Sequence, residues 1–327
     1  MTEEIQLGPY RFARQVAWGQ LPPGIQLGDI PALAVDSRDR VYVFTRAADP
    51  VVVLEADGTF VGTWGREIFA RPHGIYIGPD DTVFCSDDEG QRVRIFTPDG
   101  QHLGDIAGVD QSAVTGYIPG YPHSTHHSAP PFCFPTAASL GADGVTMFVS
   151  DGYGNARVHA FGPDRELRRS WGEPGAGPGQ FVTTHGIYVD DRGRLLVSDR
   201  ENERVQVFSP EGEHLESWPD VRCPNGLVQH DGHYFIIELG RRAELVEGMT
   251  AGIRLVPDGL APRLSVRDAA GKLLGEWTPD PTGDEIYYSP HGIAVDSRGD
   301  IYVGEVRAAW SLGAVKPAPL TKFVRLD

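Results

Sequence analysis

Residues 180–218, QFVTTHGIYVDDRGRLLVSDRENERVQVFSPEGEHLESW, decide the fold because they contain one complete copy of a repeat. The copy has short apolar runs of alternating character, and polar gaps that often contain Gly separate them. Runs of this kind are typical of β-strands joined by hairpin turns. The stretch therefore predicts one four-stranded antiparallel sheet.

Further copies of this repeat occupy the chain on both sides. They lie at 29–65, 71–107, 134–172, 223–277 and 289–326. The copy at 223–277 is interrupted by irregular sequence at 240–263, and the last copy lacks its closing strand. Units of about 40 residues are typical of propeller blades. We therefore predict an all-β, six-bladed β-propeller that occupies residues 1–327 as a single domain.

The strand missing from the last copy has a candidate at the other end of the chain. Residues 11–19, RFARQVAWG, have the character of a fourth strand, yet no blade precedes them. Closure by this segment would leave no unpaired edge in the last blade. The sequence therefore predicts that the N-terminal strand completes that blade.

The amino-acid composition argues against some classes of binding partner. The 327 residues carry a net charge of −16, and a strongly acidic chain repels nucleic-acid phosphates and anionic membranes. We expect no nucleic acid and no membrane among its partners, and nothing in the sequence indicates an obligate protein partner. The first residues are acidic and lack an apolar leader segment, and the three cysteines are widely spaced. These features predict a cytoplasmic protein without disulfides.

Three histidines share one phrase at the start of alternate repeats. His73, His185 and His291 are each followed by Gly-Ile, whereas the intervening copies carry Ala32, Thr136 and Asn225. A single histidine at a strand start is commonly a turn residue. On alternate blades of a propeller, however, three would converge about 120° apart, which suits a three-histidine Zn²⁺ site with one open position. Fe²⁺ or Mn²⁺ would fit the same ligands.

A second set of residues departs from the repeat where the second strand of each blade ends. Most copies carry Asp or Glu there, which would cap the following turn, but Arg46, Tyr153 and Arg200 stand out. Two guanidinium groups suit a carboxylate or a developing oxyanion, and a phenol near them could serve as a base.

The loop at 108–133 is long for a compact domain and rich in histidine, so we predict that it is a wall or lid of the site. Its His123, His126 and His127, together with Asn225, are candidates for substrate binding. The irregular segment at 240–263 is predicted to form a second wall.

Three stretches carry a family resemblance: FCFPT at 132–136, FVSDGYGNAR at 148–157 and VSDRENERVQVF at 197–208. They closely resemble the peptidyl-α-hydroxyglycine α-amidating lyase, which is the lyase domain of peptidylglycine α-amidating monooxygenase. The resemblance implies a six-bladed NHL-type propeller and zinc bound by His73, His185 and His291. It also implies a catalytic role for Tyr153, Arg200 and Arg46. That family's last histidine precedes an aspartate that helps to hold a structural Ca²⁺, and Gly292 replaces it here.

Together these features predict a zinc-dependent enzyme that acts on a small molecule. It would cleave the C–N bond of an N-substituted 2-hydroxy acid and release an amide or amine and an aldehyde such as glyoxylate. One alternative is a metal-dependent hydrolase of esters or lactones, or another C–C or C–O lyase, that uses the same site. The other is an NHL propeller that serves as an interaction platform without catalysis.

Overall fold

The computed structural model describes residues 3–240, 261–279, 289–306 and 320–327. These residues form six antiparallel sheets, which are the blades of a β-propeller, and they contain no α-helix. The predicted all-β, six-bladed fold is therefore confirmed. No helix within these ranges is long and apolar enough to cross a membrane.

Blades are numbered here in chain order, and two 3₁₀ helices, η1 and η2, lie outside them. The bounds are as follows: blade 1, β3 (Ala32–Val35), β4 (Val41–Phe44), β5 (Val51–Leu54) and β6 (Phe60–Trp64); blade 2, β7 (Pro72–Ile77), β8 (Val83–Asp87), β9 (Arg92–Phe96) and β10 (His102–Ile106); blade 3, β11 (Pro135–Leu140), β12 (Met147–Asp151), β13 (Arg157–Phe161) and β14 (Leu167–Trp171); blade 4, β15 (Thr184–Val189), β16 (Leu195–Asp199), β17 (Arg204–Phe208) and β18 (His214–Trp218); blade 5, β19 (Pro224–His230), β20 (His233–Glu238), β21 (Arg263–Arg267) and β22 (Leu273–Trp277); blade 6, β1 (Glu3–Leu7), β2 (Tyr10–Gln15), β23 (Pro290–Val295), β24 (Ile301–Glu305) and β25 (Thr321–Arg325); and the helices η1 (Pro122–Ser124) and η2 (Arg200–Asn202).

Two compact units make up the chain. Unit 1 comprises residues 1–66 and 225–327, and unit 2 comprises residues 67–224. Blades 2, 3 and 4 belong to unit 2, and blades 1, 5 and 6 lie essentially within unit 1. Each unit contains two clusters of buried apolar side chains, which come from the alternating positions of its strands.

The last blade is closed by the N-terminal segment, as predicted. Strand β2 pairs antiparallel with β25, so that Ala13 lies opposite Val324. The structure differs from the prediction in two respects: the closing strand is Tyr10–Gln15 rather than 11–19, and β1 adds a fifth strand outside it. Ala17 has a positive φ of 55°, a conformation outside the β region, so the strand cannot continue to Gly19.

All three cysteines are free, as the sequence predicts. Most of the segment at 240–263, which we predicted to be a second wall, lies outside the described residues.

Candidate metal centre and active site

Each of the three histidines lies in a β-bulge. In the first strands of blades 2, 4 and 6, pairing with the second strand shifts register at His73, His185 and His291. Each histidine is thus the extra residue of its strand, and its side chain is buried. A bulge bends the strand and re-aims the side chain that it carries. The shared phrase therefore encodes a local distortion of the first strand.

The glycine after the histidine is explained by the close approach of a neighbouring strand. A Cβ atom at Gly74 would lie 2.5 Å from the carbonyl oxygen of Thr136 in β11. A Cβ atom at Gly292 would lie 2.6 Å from the Cα atom of Ala32 in β3. Neither position has room for a side chain, so these bulges require glycine.

Backbone carbonyl groups orient two of the imidazole rings. His73 Nδ1 lies 2.7 Å from the Thr136 carbonyl oxygen in unit 2, and His291 Nδ1 lies 2.7 Å from the Pro31 carbonyl oxygen in unit 1. A carbonyl oxygen only accepts hydrogen bonds, so Nδ1 must be the donor in both rings. In a neutral imidazole this leaves Nε2 with its lone pair available for a metal.

Tyr153 lies directly against two of these histidines. It follows β12 in a tight turn, where a Cβ atom at Gly152 would lie 2.0 Å from the Thr184 carbonyl oxygen. The Tyr153 hydroxyl is 2.8 Å from His73 Nε2 and 3.3 Å from His185 Nε2. The ligand atoms of His73 and His185 lie within 4.8 Å of one another. Two imidazole nitrogens and one phenol oxygen therefore meet at a single point in unit 2.

Arg200 lies beside the Tyr153 ring. It begins helix η2, and its Cζ atom is 5.5 Å from the ring centroid. Glu201 Oε1 accepts from both Arg200 Nε, at 2.8 Å, and Nη2, at 2.7 Å. Burial lowers the pKa of Arg200, but the charge and hydrogen bond of Glu201, together with the charges of Tyr153 and Cys223, raise it by more. The guanidinium group therefore keeps its positive charge next to the phenol.

A second guanidinium group, that of Arg71, lies 5.7 Å from the same ring centroid. Asp88 binds it in a bidentate manner, with 2.8 Å to Nε and 2.6 Å to Nη2. Burial opposes the charge of Arg71, but the hydrogen bonds and charge of Asp88 raise its pKa overall. Tyr153 therefore has two guanidinium groups near its ring, and each of them is held by a carboxylate.

Our sequence reasoning did not select Arg71 or Glu201. Arg71 stands two residues before His73, where the other two histidine blades carry Thr183 and Ser289, so its departure from the repeat was a usable signal. Glu201 carried no such signal, because its contact with Arg200 depends on the turn of η2.

The loop at 108–133 is fastened to the turn that carries Tyr153. Cys133 accepts a backbone hydrogen bond from Gly154, and the side chain of Asn155 exchanges two hydrogen bonds with Ala129. A Cβ atom at Gly154 would lie 2.8 Å from the ring of Tyr117, which packs against Phe134. The predicted wall is thus built into the site in unit 2.

Within this loop, Tyr117 interacts electrostatically with Tyr153 and with both arginines beside it. Burial raises its pKa to about 12, and the adjacent Tyr153 acts in the same direction. The Gly120 N–H group and the charges of Arg200 and Arg71 oppose this shift. Tyr117 therefore remains a neutral hydroxyl near neutral pH. By contrast, His123, His126 and His127 are exposed, and their predicted role in substrate binding stays a prediction.

Two further predicted site residues lie in unit 1. Asn225 occupies the register of the histidines in blade 5 and donates its amide to the Pro290 carbonyl oxygen at 2.6 Å. This bond ties β19 to β23, and the predicted role of Asn225 in substrate binding stays a prediction. Arg46 follows β4, and its Nη1 atom lies 3.8 Å from Asp29 Oδ2. Its predicted catalytic role stays a prediction.

Comparison with known proteins confirms the resemblance that the motifs predicted. Residues 185–208 match the NHL repeat family. The chain is 26% identical to peptidyl-α-hydroxyglycine α-amidating lyase 1 of Drosophila melanogaster, over 90% of this chain and 58% of the relative. It is 26% identical to peptidylglycine α-amidating monooxygenase of Rattus norvegicus, over 62% of this chain and 22% of the relative. It is also 27% identical to human NHL repeat-containing protein 3, over 99% and 87% of the two chains.

The matched regions cover only about a fifth to a third of the length of the vertebrate amidating monooxygenases. Among solved structures, a streptogramin B lyase superposes with a TM-score of 0.60 at 12% identity and covers 96% of this chain and 98% of its own. A gluconolactonase from Xanthomonas campestris superposes with a TM-score of 0.61 at 14% identity and covers 98% and 91%. At these identities the likeness concerns the fold alone.

Proposed function

We propose that this protein is a metal-dependent lyase that cleaves the C–N bond of an α-hydroxyglycine derivative or a similar small N-substituted 2-hydroxy acid. The observation that carries the proposal is the Tyr153 hydroxyl, which lies 2.8 Å from His73 Nε2 and 3.3 Å from His185 Nε2 and has two guanidinium groups near its ring. Relatives named as α-hydroxyglycine lyases support the reaction class.

The proposed metal ligands are His73, His185 and His291. The Nδ1–carbonyl bonds of His73 and His291 favour the tautomer that metal binding needs, and His185 shares their bulge and burial. Neutral imidazoles suit Zn²⁺, although Fe²⁺ and Mn²⁺ accept them too. When bound, such an ion supplies Lewis-acid stabilisation of a substrate oxygen.

The chain's own residues account for the movement of protons. In this proposal the Tyr153 hydroxyl relays a proton: its oxygen takes the proton of the substrate hydroxyl while its own proton passes to the substrate nitrogen. The carbonyl double bond forms, and the C–N bond breaks with its electron pair on that nitrogen. The products are an amide and glyoxylate, and neither water nor an oxidant is consumed.

The positive charges of the two arginines suit the carboxylate group of the substrate. Arg200 is held rigidly by Glu201 and faces the Tyr153 ring, so we propose that it binds the substrate carboxylate together with Arg46. A guanidinium group there also stabilises negative charge as the C–N bond breaks.

Product analysis tests the reaction class. The purified protein is incubated with N-benzoyl-2-hydroxyglycine, and we expect benzamide and glyoxylate in equal amounts, with no oxygen from ¹⁸O-labelled water in the benzamide. Simple esters and lactones should be turned over far more slowly. Preferred hydrolysis of an ester or lactone would instead identify the protein as a metal-dependent hydrolase.

A histidine variant tests the metal site. His185→Ala should lose bound metal and turnover together, because it removes one of the three proposed nitrogen ligands. His214→Ala is the matched control, since that half-buried ring bonds the Ser217 hydroxyl and packs against Phe208 and is not one of the proposed ligands. Elemental analysis of both proteins provides the measurement. Full metal content and turnover in His185→Ala would refute the proposed site.

A further inference from the structure

Glu201 holds Arg200 with only one of its two oxygen atoms. Oε1 accepts from two nitrogens of the guanidinium group. Oε2 is buried and has no hydrogen-bond partner within the described part of the chain. A buried carboxylate oxygen left without a donor is costly, and such atoms in native proteins commonly serve function.

The neighbours of this oxygen place it at the proposed active site. Glu201 lies next to Arg200 in η2, and the Arg200 guanidinium group is 5.5 Å from the Tyr153 ring centroid. The Glu201 side chain is only 18% exposed. No donor within the described residues reaches Oε2, so a molecule bound beside Arg200 and Tyr153 could supply one.

A carboxylate accepts hydrogen bonds and repels other carboxylates, so its partner must be a donor. An α-hydroxyglycine derivative has two donors on its central carbon, the hydroxyl and the N–H group. The proposed function assigns the hydroxyl to Tyr153 and the metal, and the carboxylate to Arg200. The N–H group of the bond to be broken is the donor that remains.

We propose that Glu201 is a substrate-binding residue whose Oε2 atom accepts a hydrogen bond from that N–H group. This inference rests on the proposed function and deepens it. Three different groups on one carbon atom would then be recognised by three fixed partners. The site would therefore bind one enantiomer and would select nitrogen-linked substrates that retain their N–H group.

Binding of two inert analogues tests this inference without turnover. N-benzoylglycine lacks the hydroxyl and cannot be cleaved, and N-benzoyl-N-methylglycine also lacks the N–H group. Calorimetry on the metal-loaded wild-type protein should show about 10- to 100-fold weaker binding of the methylated analogue, the range for a hydrogen bond to a charged group.

The variant Glu201→Gln separates the hydrogen bond from steric effects of the methyl group. Its amide oxygen can still accept a hydrogen bond from Arg200. Its amide nitrogen takes the place of Oε2 and is a donor instead of an acceptor. Binding of N-benzoylglycine should fall about 10-fold or more, and binding of the methylated analogue should change little. Glu211→Gln, at an exposed turn, is the matched control and should match the wild type in both.

Two contrary results are distinguishable. In the first, the wild type binds N-benzoylglycine, but Glu201→Gln weakens the binding of both analogues by the same factor. The proposed role of Glu201 is then wrong, while the proposed function stands. If the wild type binds neither analogue and releases no glyoxylate from N-benzoyl-2-hydroxyglycine, both are overturned.

Discussion

At the scale of single residues, the decisive contact joins the Tyr153 hydroxyl to two histidine nitrogens. The Nδ1 atom of His73 is committed to the Thr136 carbonyl, so Nε2 accepts the bond from Tyr153. The same Nε2 lone pair is the one that a metal would need. In the proposed function, Tyr153 and the metal ion would therefore share one point of the site, and the phenol oxygen would lie beside a substrate atom bound there.

The first prediction concerns that hydroxyl. Tyr153→Phe keeps the ring beside Arg71 and Arg200 but removes the oxygen that would take the substrate proton. We expect kcat to fall at least about 100-fold, as for loss of a general base. Metal content and the unfolding midpoint should be unchanged, because the phenol is not one of the proposed ligands. A variant that retains the wild-type kcat would remove Tyr153 from the mechanism.

The second prediction concerns Tyr117, whose buried hydroxyl has a pKa of about 12 against an ordinary value of 10.0. Between these values the unfolded chain releases the proton while the folded protein keeps it. The contribution of this hydroxyl to the free energy of unfolding is therefore fully present below the ordinary pKa. It is lost as the pH rises towards the pKa in the folded protein, by at most about 1.4 kcal/mol per pH unit.

A variant without this hydroxyl should not show this part of the fall in the free energy of unfolding at alkaline pH. In urea unfolding at about pH 9 and about pH 11, Tyr117→Phe should lose less stability than the wild type. Tyr121→Phe, an exposed tyrosine of the same loop, is the control and should behave as the wild type. An unchanged alkaline loss in Tyr117→Phe would contradict burial of this hydroxyl.

Sequence reasoning at this scale found residues by their departure from the repeat. Tyr153 and Arg200 stand where other copies carry acidic residues, and the structure brings both to one place in unit 2. Glu201 and Tyr117 could not be found in that way. Blade 2 carries Glu89 at the place of Glu201, so Glu201 does not depart from the repeat, and Tyr117 lies in a long loop that has no counterpart in the repeat.

At the scale of the strand, buried acidic residues fix the start of the first strand in blades 2, 3 and 4. Asp87 accepts from the backbone of Ala70 and Arg71, Asp151 from Cys133, and Asp199 from Val182. The sequence suggested that these carboxylates cap the following turn. They do bond that turn, as Asp87 does at the Gly90 N–H group, but each also accepts backbone hydrogen bonds from the segment that precedes the histidine register of the same blade, which sets where the bulge begins.

The third prediction tests the glycine of a bulge. In Gly74→Ala the new Cβ atom would lie 2.5 Å from the Thr136 carbonyl oxygen, which also accepts from His73 Nδ1. We expect a loss of about 1–3 kcal/mol in the free energy of unfolding and weaker metal binding, because backbone must move. Denaturant unfolding and metal titration measure the two effects.

A matched control exists in blade 1. Gly62 is also a strand glycine, but a Cβ atom there meets nothing within 4 Å. Gly62→Ala should therefore leave both quantities close to those of the wild type. If the two alanine variants behave alike, the close approach of β7 and β11 is not the reason for the glycine.

At the scale of the whole molecule, the spacing of the repeats predicted the number of blades and the closure of the last one. Strand β1 was not predicted, because its sequence is mostly polar and only Ile5 and Leu7 are buried. The single domain that we expected from the sequence stays a prediction, and the structure divides the chain into two compact units.

The final prediction tests closure of blade 6. Deleting residues 1–15 would leave β25 without its partner β2 and would remove Phe12, a fully buried ring that packs against Phe235 and Phe323. Removing a buried phenylalanine alone costs about 3–5 kcal/mol. Because strand pairing is lost as well, amide hydrogen exchange in β24 and β25 should rise sharply, and more than in a Phe12→Ala variant. Strands β12 and β13 of unit 2 serve as the internal reference. Unchanged protection of β25 after the deletion would show that the N-terminal strand does not hold this blade.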